Sequence, residues 1–420
     1  HQYFASLTPS EKNQYTGMFE GKNLILLTAE AFSPAAIDKD LTPTLYRLTH
    51  EGVVCKNFYQ PDWTMSTTGG EFSVTTGLIP NWHNGGKDAS PALSVNNAMP
   101  TTLAHLFAAK GYSVPAWHNH TYTYYGRNEY LVNFGYDYKA KDNGMELAHP
   151  NTWPESDLEM MEATADSYIN DYVNNGKPFH AYYMTVSGHG YYTWAGNAMS
   201  RKHRDEVEAR YPDLSETSQA YLACNMELDL ALEYLVDKLE AAGIADDTLI
   251  VMTADHYPYL MVTEDGDFYN ELRGFEDTDL LTSRYRNTLL MWSGAFQETV
   301  EVDIPCSSID IVPTICNLFG LDYDSRLYSG RDIFATNYQA DQYSNCMPLV
   351  VFANNRGKGN SWITAAGTYE CSTGEFTPNE GITVDDDYVG RVKRLVAAKV
   401  NYSKLILQED YYKYVFPDGQ

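Results

Sequence analysis

Residues 23–30, NLILLTAE, form an unbroken apolar run that ends on an acid. A strand with no polar alternation has both faces buried, and such strands belong to parallel sheets covered by helices. The pattern recurs at VVCKNFY (53–59), SVPAWHN (113–119), PFHAYYMTVSG (178–188), TLIVMTADH (248–256) and RNTLLMWSG (286–294). Helical spacings lie between these runs. They cover 42–52, 99–112, an acidic stretch at 154–176, 215–243 between Ser215 and Gly243, and 307–320. Strands alternating with helices predict an α/β fold with a mostly parallel central sheet and helices on both faces. After about residue 335 the texture changes: PLVVFANN and SWITAAGTYEC read as antiparallel hairpins, and 389–407 as a closing helix. The expected organisation is an α/β domain over 1–334 and a small C-terminal α+β subdomain over 335–420.

Composition narrows the function. With 44% apolar and 20% charged residues over 420 positions, the chain can bury a large core and is not disordered. Asp and Glu total 56 against 29 Lys and Arg, a net charge of −27. That excludes a nucleic-acid partner, whose affinity rests on basic residues at phosphates. A phosphate-bearing substrate would need a metal or a few placed Arg and His to overcome this field. The six cysteines include no C-x-x-C pair, so a zinc ribbon is not expected. Cys346 and Cys371 flank the expected hairpin and are the best candidates for a disulfide. No apolar run reaches the length of a membrane span, and the opening HQYFASLTPSEKNQ is too polar for a signal peptide. This opening reads as the start of a soluble part cut from a longer chain.

In open α/β sheets ligands bind at the carboxyl ends of the strands. Glu30 ends the first run, PDWTMSTTGGEF follows the second and WHNHTYTYYGR the third. SGHG ends the run at 178–188, and Asp255-His256 ends that at 248–256. One rim therefore gathers Glu30, Ser66, Thr67, Thr68, His118, His120, Arg127, His189, Asp255 and His256. Glu30, Asp255 and His256 offer the oxygen and nitrogen ligands of a metal site. Alone, each would more commonly cap a strand or pair at the surface; their shared place after buried strands reverses that. The stretch Ser66–Gly70 precedes EFSVTTGLI, read as a helix start. A plain N-cap is the commoner use of Ser or Thr there. A hydroxyl held at that point on a metal would instead be an activated nucleophile.

Five segments in order resemble the lipoteichoic acid synthase, or phosphoglycerol transferase, family of the alkaline phosphatase–sulfatase superfamily. They are NLILLTAEAFS, TMSTTGGEF, AWHNHTYTYYGRNEYLVNFGYD, MTVSGHGYY and TADHYPY, and SGRDIFA (329–335) continues the likeness. The resemblance covers about residues 20–335 and implies an alkaline phosphatase/sulfatase-like fold. It implies a catalytic pair, the nucleophile Thr67 and the leaving-group histidine His189. It implies one divalent cation on Glu30, Thr67, Asp255 and His256, Mn²⁺ ahead of Mg²⁺ or Zn²⁺. The implied substrate-binding residues are His118, His120, Tyr125, Arg127 and His189. His120 stands where the family carries an acid, and Tyr125 where it often carries Trp, which bears on substrate identity.

The implied reaction takes glycerophosphate from a phospholipid, phosphatidylglycerol foremost. It passes the group to a glycerol-phosphate polymer or glycan acceptor in cell-envelope synthesis. The implied place is the cell membrane, with the catalytic domain outside and tethered by N-terminal transmembrane helices. A sulfatase would need a C/S-x-P-x-R stretch, whereas the hydroxyl loop reads STTGGEF. A phosphoethanolamine transferase or related phosphodiesterase is the enzymatic alternative. A non-catalytic teichoic-acid-binding module is the alternative of another class.

Overall fold

The computed structural model describes residues 1–63, 65–82, 89–273, 283–337, 346–353 and 359–417. The central sheet holds β1 (Asn23–Ala29), β2 (Val53–Cys55), β3 (Pro115–His118), β4 (Asp137–Ala140), β5 (His180–Met184), β6 (Thr248–Ala254), β7 (Leu290–Trp292) and β8 (Val300–Val302). Their order is β8-β2-β7-β6-β1-β5-β3-β4. All neighbours pair in parallel except β7, which runs antiparallel to both β6 and β2. The expected mostly parallel sheet is present.

Successive residues of β1 serve two cores, as the strand's two-residue period requires. Leu24 and Leu26 join Tyr182, Met184, Leu249 and Val251 on one face. Ile25, Leu27 and Ala29 join Ala181, Tyr183, Ile250 and Met252 on the other. Four fully buried side chains, Leu24 to Leu27, contribute roughly 6–12 kcal/mol at the usual 1.5–3 per residue. That is comparable with the whole net stability of a domain. Helices α1 (Pro43–His50), α2 (Ser66–Thr76), α3 (Leu103–Ala109), α4 (Arg127–Asn133), α5 (Asp157–Asn175), α6 (Glu216–Ala241) and α7 (Ile311–Leu318) complete the α/β body. Residues of α3 and α7 enter the first core; residues of α1, α5 and α6 enter the second.

Three expected elements change on folding. The run 53–59 divides: Val53–Cys55 stays in the main sheet, while Phe58–Tyr59 pairs with Cys306–Ser307. The helix expected from 154 begins at Asp157, because the Ser156 side chain accepts the Glu159 N–H and caps it. The helix expected after Gly70 begins at Ser66, so Gly69 and Gly70 lie inside it.

The C-terminal part is an antiparallel sheet of β9 (Leu349–Phe352), β10 (Ser361–Thr364), β11 (Gly367–Glu370) and β12 (Glu375–Pro378), with α8 (Tyr388–Gln408) against it. Trp362, Tyr369, Val392 and Val396 share a core with Trp63, Ile79 and Ile309 of the main body. The subdomain thereby braces the two ends of the segment that carries α2. Cys346 and Cys371 form no disulfide, contrary to the expectation. Cys346 donates to Thr8 O at the N-terminal segment and Cys371 to Gly359 O beside the hairpin, so the chain sends the two thiols to different neighbours. Among the described residues no helix is long and apolar enough to cross a membrane.

Candidate active site

Glu30, Asp255 and His256 converge at the carboxyl ends of the adjacent strands β1 and β6, with one ligand atom of each within 4.8 Å of the others. All three are buried. Backbone groups aim them. Asp255 Oδ1 accepts the N–H groups of Ala31 and His256, both at 2.8 Å. Its Oδ2 is buried with no hydrogen-bond partner among the described residues and lies within ion-pair range, 3.3 Å, of His256 Nε2. His256 Nδ1 donates to Tyr257 O at 2.8 Å, which turns Nε2 toward Glu30 Oε1 at 3.5 Å.

Burial pushes the Asp255 carboxyl up to about 7, and the neighbouring Glu30 charge adds to this. Burial pulls His256 down, but Asp255 and Glu30 override it and raise the imidazole to about 9. Burial also pushes Glu30 up, yet the His256 hydrogen bond and charge outweigh it and the net shift is downward. A bare buried carboxylate oxygen beside a second carboxylate is a site in want of a cation. The donor set fits one divalent ion.

Thr67, in the first turn of α2, completes the set. Its Oγ1 lies 3.2 Å from His256 Nε2 and donates to Glu30 Oε2 at 3.4 Å. A close approach of α2 to the end of β6 makes this possible. A Cβ added at Gly70 would sit 1.9 Å from Asp255 O. Gly70→Ala is therefore expected to destabilise the chain by about 1–3 kcal/mol, the usual cost of overpacking, and to weaken divalent-cation affinity. Thermal melts and cation titration check both.

Strain gathers here too. Ala31, Ser66 and Tyr125 hold φ of 50°, 52° and 57°, the left-handed region that side chains avoid. Each costs about 1–3 kcal/mol and persists only where its surroundings impose it.

His118 and Arg127 meet beside this centre. His118 Nδ1 donates to Met184 O at 2.9 Å, and its Nε2 accepts from Arg127 Nη1 at 3.2 Å. Burial, then the Arg127 charge, pulls this imidazole well below its ordinary range, so it stays neutral. Arg127 Nε donates to Glu71, one helical turn after Thr67, at 2.9 Å. Tyr130 and Tyr182 hydroxyls also donate to Glu71, at 2.5 and 3.1 Å. Arg127 Nη2 makes no hydrogen bond among the described residues. The Tyr125 ring, 51% exposed, lies 5.5 Å from the guanidinium.

His189 is half-buried, donates Nδ1 to Gly190 O, and acts electrostatically on Glu30. His120 Nδ1 lies 2.9 Å from Glu155 Oε1, to which Lys141 Nζ also bonds. The Trp153 ring stands 4.9 Å from both His120 and His189, which links the two histidines. Sequence reasoning assigned no role to Glu71, Lys141, Trp153 or Glu155. Glu71 carried a signal, its i+4 spacing from Thr67, but only if the helix start is known.

The chain belongs to the Sulfatase family, whose pattern matches residues 22–321. The resemblance to lipoteichoic acid synthases holds on direct comparison. It is 23% identical to lipoteichoic acid synthase 2 of Bacillus subtilis (strain 168), over 97% of this chain and 60% of that protein. It is 24% identical to lipoteichoic acid synthase of Staphylococcus saprophyticus, over 77% of this chain and 49% of that protein. The chain thus spans about half to three-fifths of the length of these relatives. The fold matches the crystal structure of the lipoteichoic acid synthase LtaP from Listeria monocytogenes, with TM-score 0.76, 20% identity, and 96% and 97% of the two chains covered.

Proposed function

We propose that the chain is the catalytic part of a metal-dependent phosphoglycerol transferase. The carrying observation is the buried Glu30, Asp255 and His256 cluster with the Thr67 hydroxyl 3.2 Å from His256 Nε2. The relatives named as lipoteichoic acid synthases support the choice of transferred group.

Glu30, Asp255, His256 and the Thr67 oxygen would hold the ion. When bound, a divalent cation lowers the hydroxyl's pKa and neutralises the phosphodiester charge. Two carboxylates, an imidazole and an alkoxide suit Mn²⁺ first, with Mg²⁺ and Zn²⁺ compatible. Thr67 Oγ1, its proton released to solvent as the ligands of a bound cation deprotonate, would then attack the phosphorus of a glycerophospholipid. The P–O bond to diacylglycerol breaks, and His189, held by its Nδ1 bond, protonates the departing alkoxide through Nε2. Arg127 offers its open Nη2 to a non-bridging oxygen, oriented by Glu71 and neutral His118. A glycerol-phosphate polymer end or glycan hydroxyl next attacks the glycerophosphoryl-Thr67 ester and frees Thr67. His189 takes the acceptor's proton. The membrane supplies the donor, with this part of the protein outside the cell.

Incubation with phosphatidylglycerol and Mn²⁺, followed by diacylglycerol release and mass analysis of Thr67, tests the reading. A glycerophosphate adduct is the expected result, and an unmodified, inactive chain refutes it. A second expectation concerns stability. At a hundredfold excess over its Kd, Mn²⁺ should stabilise the chain by about 2.7 kcal/mol. Asp255→Asn should lose most of that gain in a thermal melt.

A further inference from the structure

His189 sits on a turn, residues 187–190, between the end of β5 and a short helix, Ala198–Lys202. The turn is pressed against the cation site. A Cβ added at Gly188 would sit 2.2 Å from Glu30 O, and one at Gly190 would sit 2.4 Å from the Leu260 side chain. The entry to the turn is held by Asp157, which accepts from Val186 N at 2.9 Å and Ser187 N at 3.2 Å. The rest is held by Asn197, a fully buried side chain outside the ligand set.

Asn197 uses every part of its amide. Its Nδ2 donates to Ser187 O at 2.9 Å and to His189 O at 2.8 Å. No other described residue donates to either carbonyl. Its Oδ1 accepts Ser200 N at 2.8 Å and caps the short helix. Capping accounts only for the oxygen, since Ser, Thr or Asp would cap as well. The Asn amide adds a two-proton donor to that acceptor, and here both protons go to the turn. The next N–H, that of Ala198, donates to Trp153 O at 3.0 Å, and the Trp153 ring stands edge-on to the His189 imidazole at 4.9 Å. One helix start therefore fixes both the backbone beneath the imidazole and the ring beside it. The imidazole Nδ1 donates to Gly190 O, one peptide on from the carbonyl that Asn197 holds, which leaves Nε2 for the site.

We propose that Asn197 is a positioning residue for the leaving-group acid: by bridging Ser187 O and His189 O it fixes the turn that aims His189 Nε2 at the departing alkoxide. The inference rests on the transferase reading above. In that reaction the bond from Thr67 Oγ1 to phosphorus forms, the P–O bond to diacylglycerol breaks, and the Nε2 proton passes to the alkoxide. A misaimed Nε2 slows only a leaving group that needs this proton.

The test compares two donors of the same glycerophosphoryl group, each with Mn²⁺. One is phosphatidylglycerol in mixed micelles. The other is the p-nitrophenyl ester of glycerol phosphate, whose phenolate departs with its electron pair and needs no proton. Release in the first turnover at saturating donor isolates the step. Asn197→Ser keeps a capping oxygen and removes the amide donor. It should slow diacylglycerol release by about tenfold or more, part of the roughly 10²–10⁴-fold a general acid supplies, and p-nitrophenolate release by no more than about threefold. Asn197→Asp also keeps the cap and should show the same split. An equal fall with both donors, the mark of a merely structural role, overturns the proposal. So does wild-type release of diacylglycerol, the mark of capping alone. Adding Asn197→Ser to His189→Ala should slow diacylglycerol release no further than His189→Ala does, because the two act as a unit. A further loss of about tenfold, the sign of independent roles, overturns it as well.

Nitrogen NMR of the metal-free chain reads the aim without turnover. In its neutral form His189 should carry its proton on Nδ1 in wild type and share it between both nitrogens in Asn197→Ser, where the turn relaxes. The same tautomer in both proteins overturns the proposal. If wild type releases neither leaving group, the transferase reading falls, and the NMR arm alone decides whether Asn197 sets His189.

Discussion

Thr67→Ala is expected to abolish diacylglycerol release from phosphatidylglycerol, by at least about a thousandfold, because a covalent nucleophile has no substitute. The fold should survive. Thr67 stands in the first turn of α2, and among the described residues its hydroxyl bonds only Glu30 and His256. Loss of two buried polar contacts from one side chain costs about 1–3 kcal/mol, which a chain with two large cores tolerates. The neighbouring hydroxyls are committed elsewhere: Ser66 Oγ donates to the Tyr259 hydroxyl and Thr68 Oγ1 to Met65 O. Mass analysis after incubation should show glycerophosphate on wild-type Thr67 and none on the variant. Full activity in Thr67→Ala would transfer the role to another group.

Glu71→Ala should have the largest effect on stability. Glu71 is fully buried, as is Arg127, its ion-pair partner at 2.9 Å. Removing the carboxylate leaves a guanidinium unpaired in the core and the Tyr130 hydroxyl without its acceptor, while Tyr182 keeps Thr28 Oγ1 at 2.9 Å. Breaking such a pair from one side costs about 3–5 kcal/mol. Urea unfolding should show a midpoint lowered accordingly. The double variant Glu71→Leu with Arg127→Met removes both charges and should recover much of that loss. It should remain inactive, because Arg127 Nη2 is then gone. Recovery of activity in the double variant would contradict the substrate role given to Arg127.

Much of the candidate cation site was readable because Glu30 and Asp255-His256 directly follow long apolar strands. NLILLTA ends at Glu30 and TLIVMTA ends at Asp255-His256, and the two strands prove to be neighbours in register over seven residue pairs. Adjacent parallel strands must deliver their next residues to one place. The start of α2 was less legible. Two glycines after Ser66-Thr67-Thr68 weaken helix propensity and read as a loop. They stand inside the helix because Gly70 must pass within van der Waals distance of Asp255 O. That misplaced start hid Glu71, which shares a helix face with Thr67.

The chain's own order of residues therefore determined the α/β class and the gathering of Glu30, Asp255 and His256 at the strand ends, set by local periodicity. Only the tertiary structure decided what surrounds them. Glu71 reaches Arg127 across 56 positions, and Glu155 reaches His120 across 35. Cys346 and Cys371, close in the sequence, go to separate neighbours. Period and propensity act over a few residues and mark which positions face inward. Which buried charge meets which partner depends on how sheet and helices pack, where an unpaired charge costs several kcal/mol.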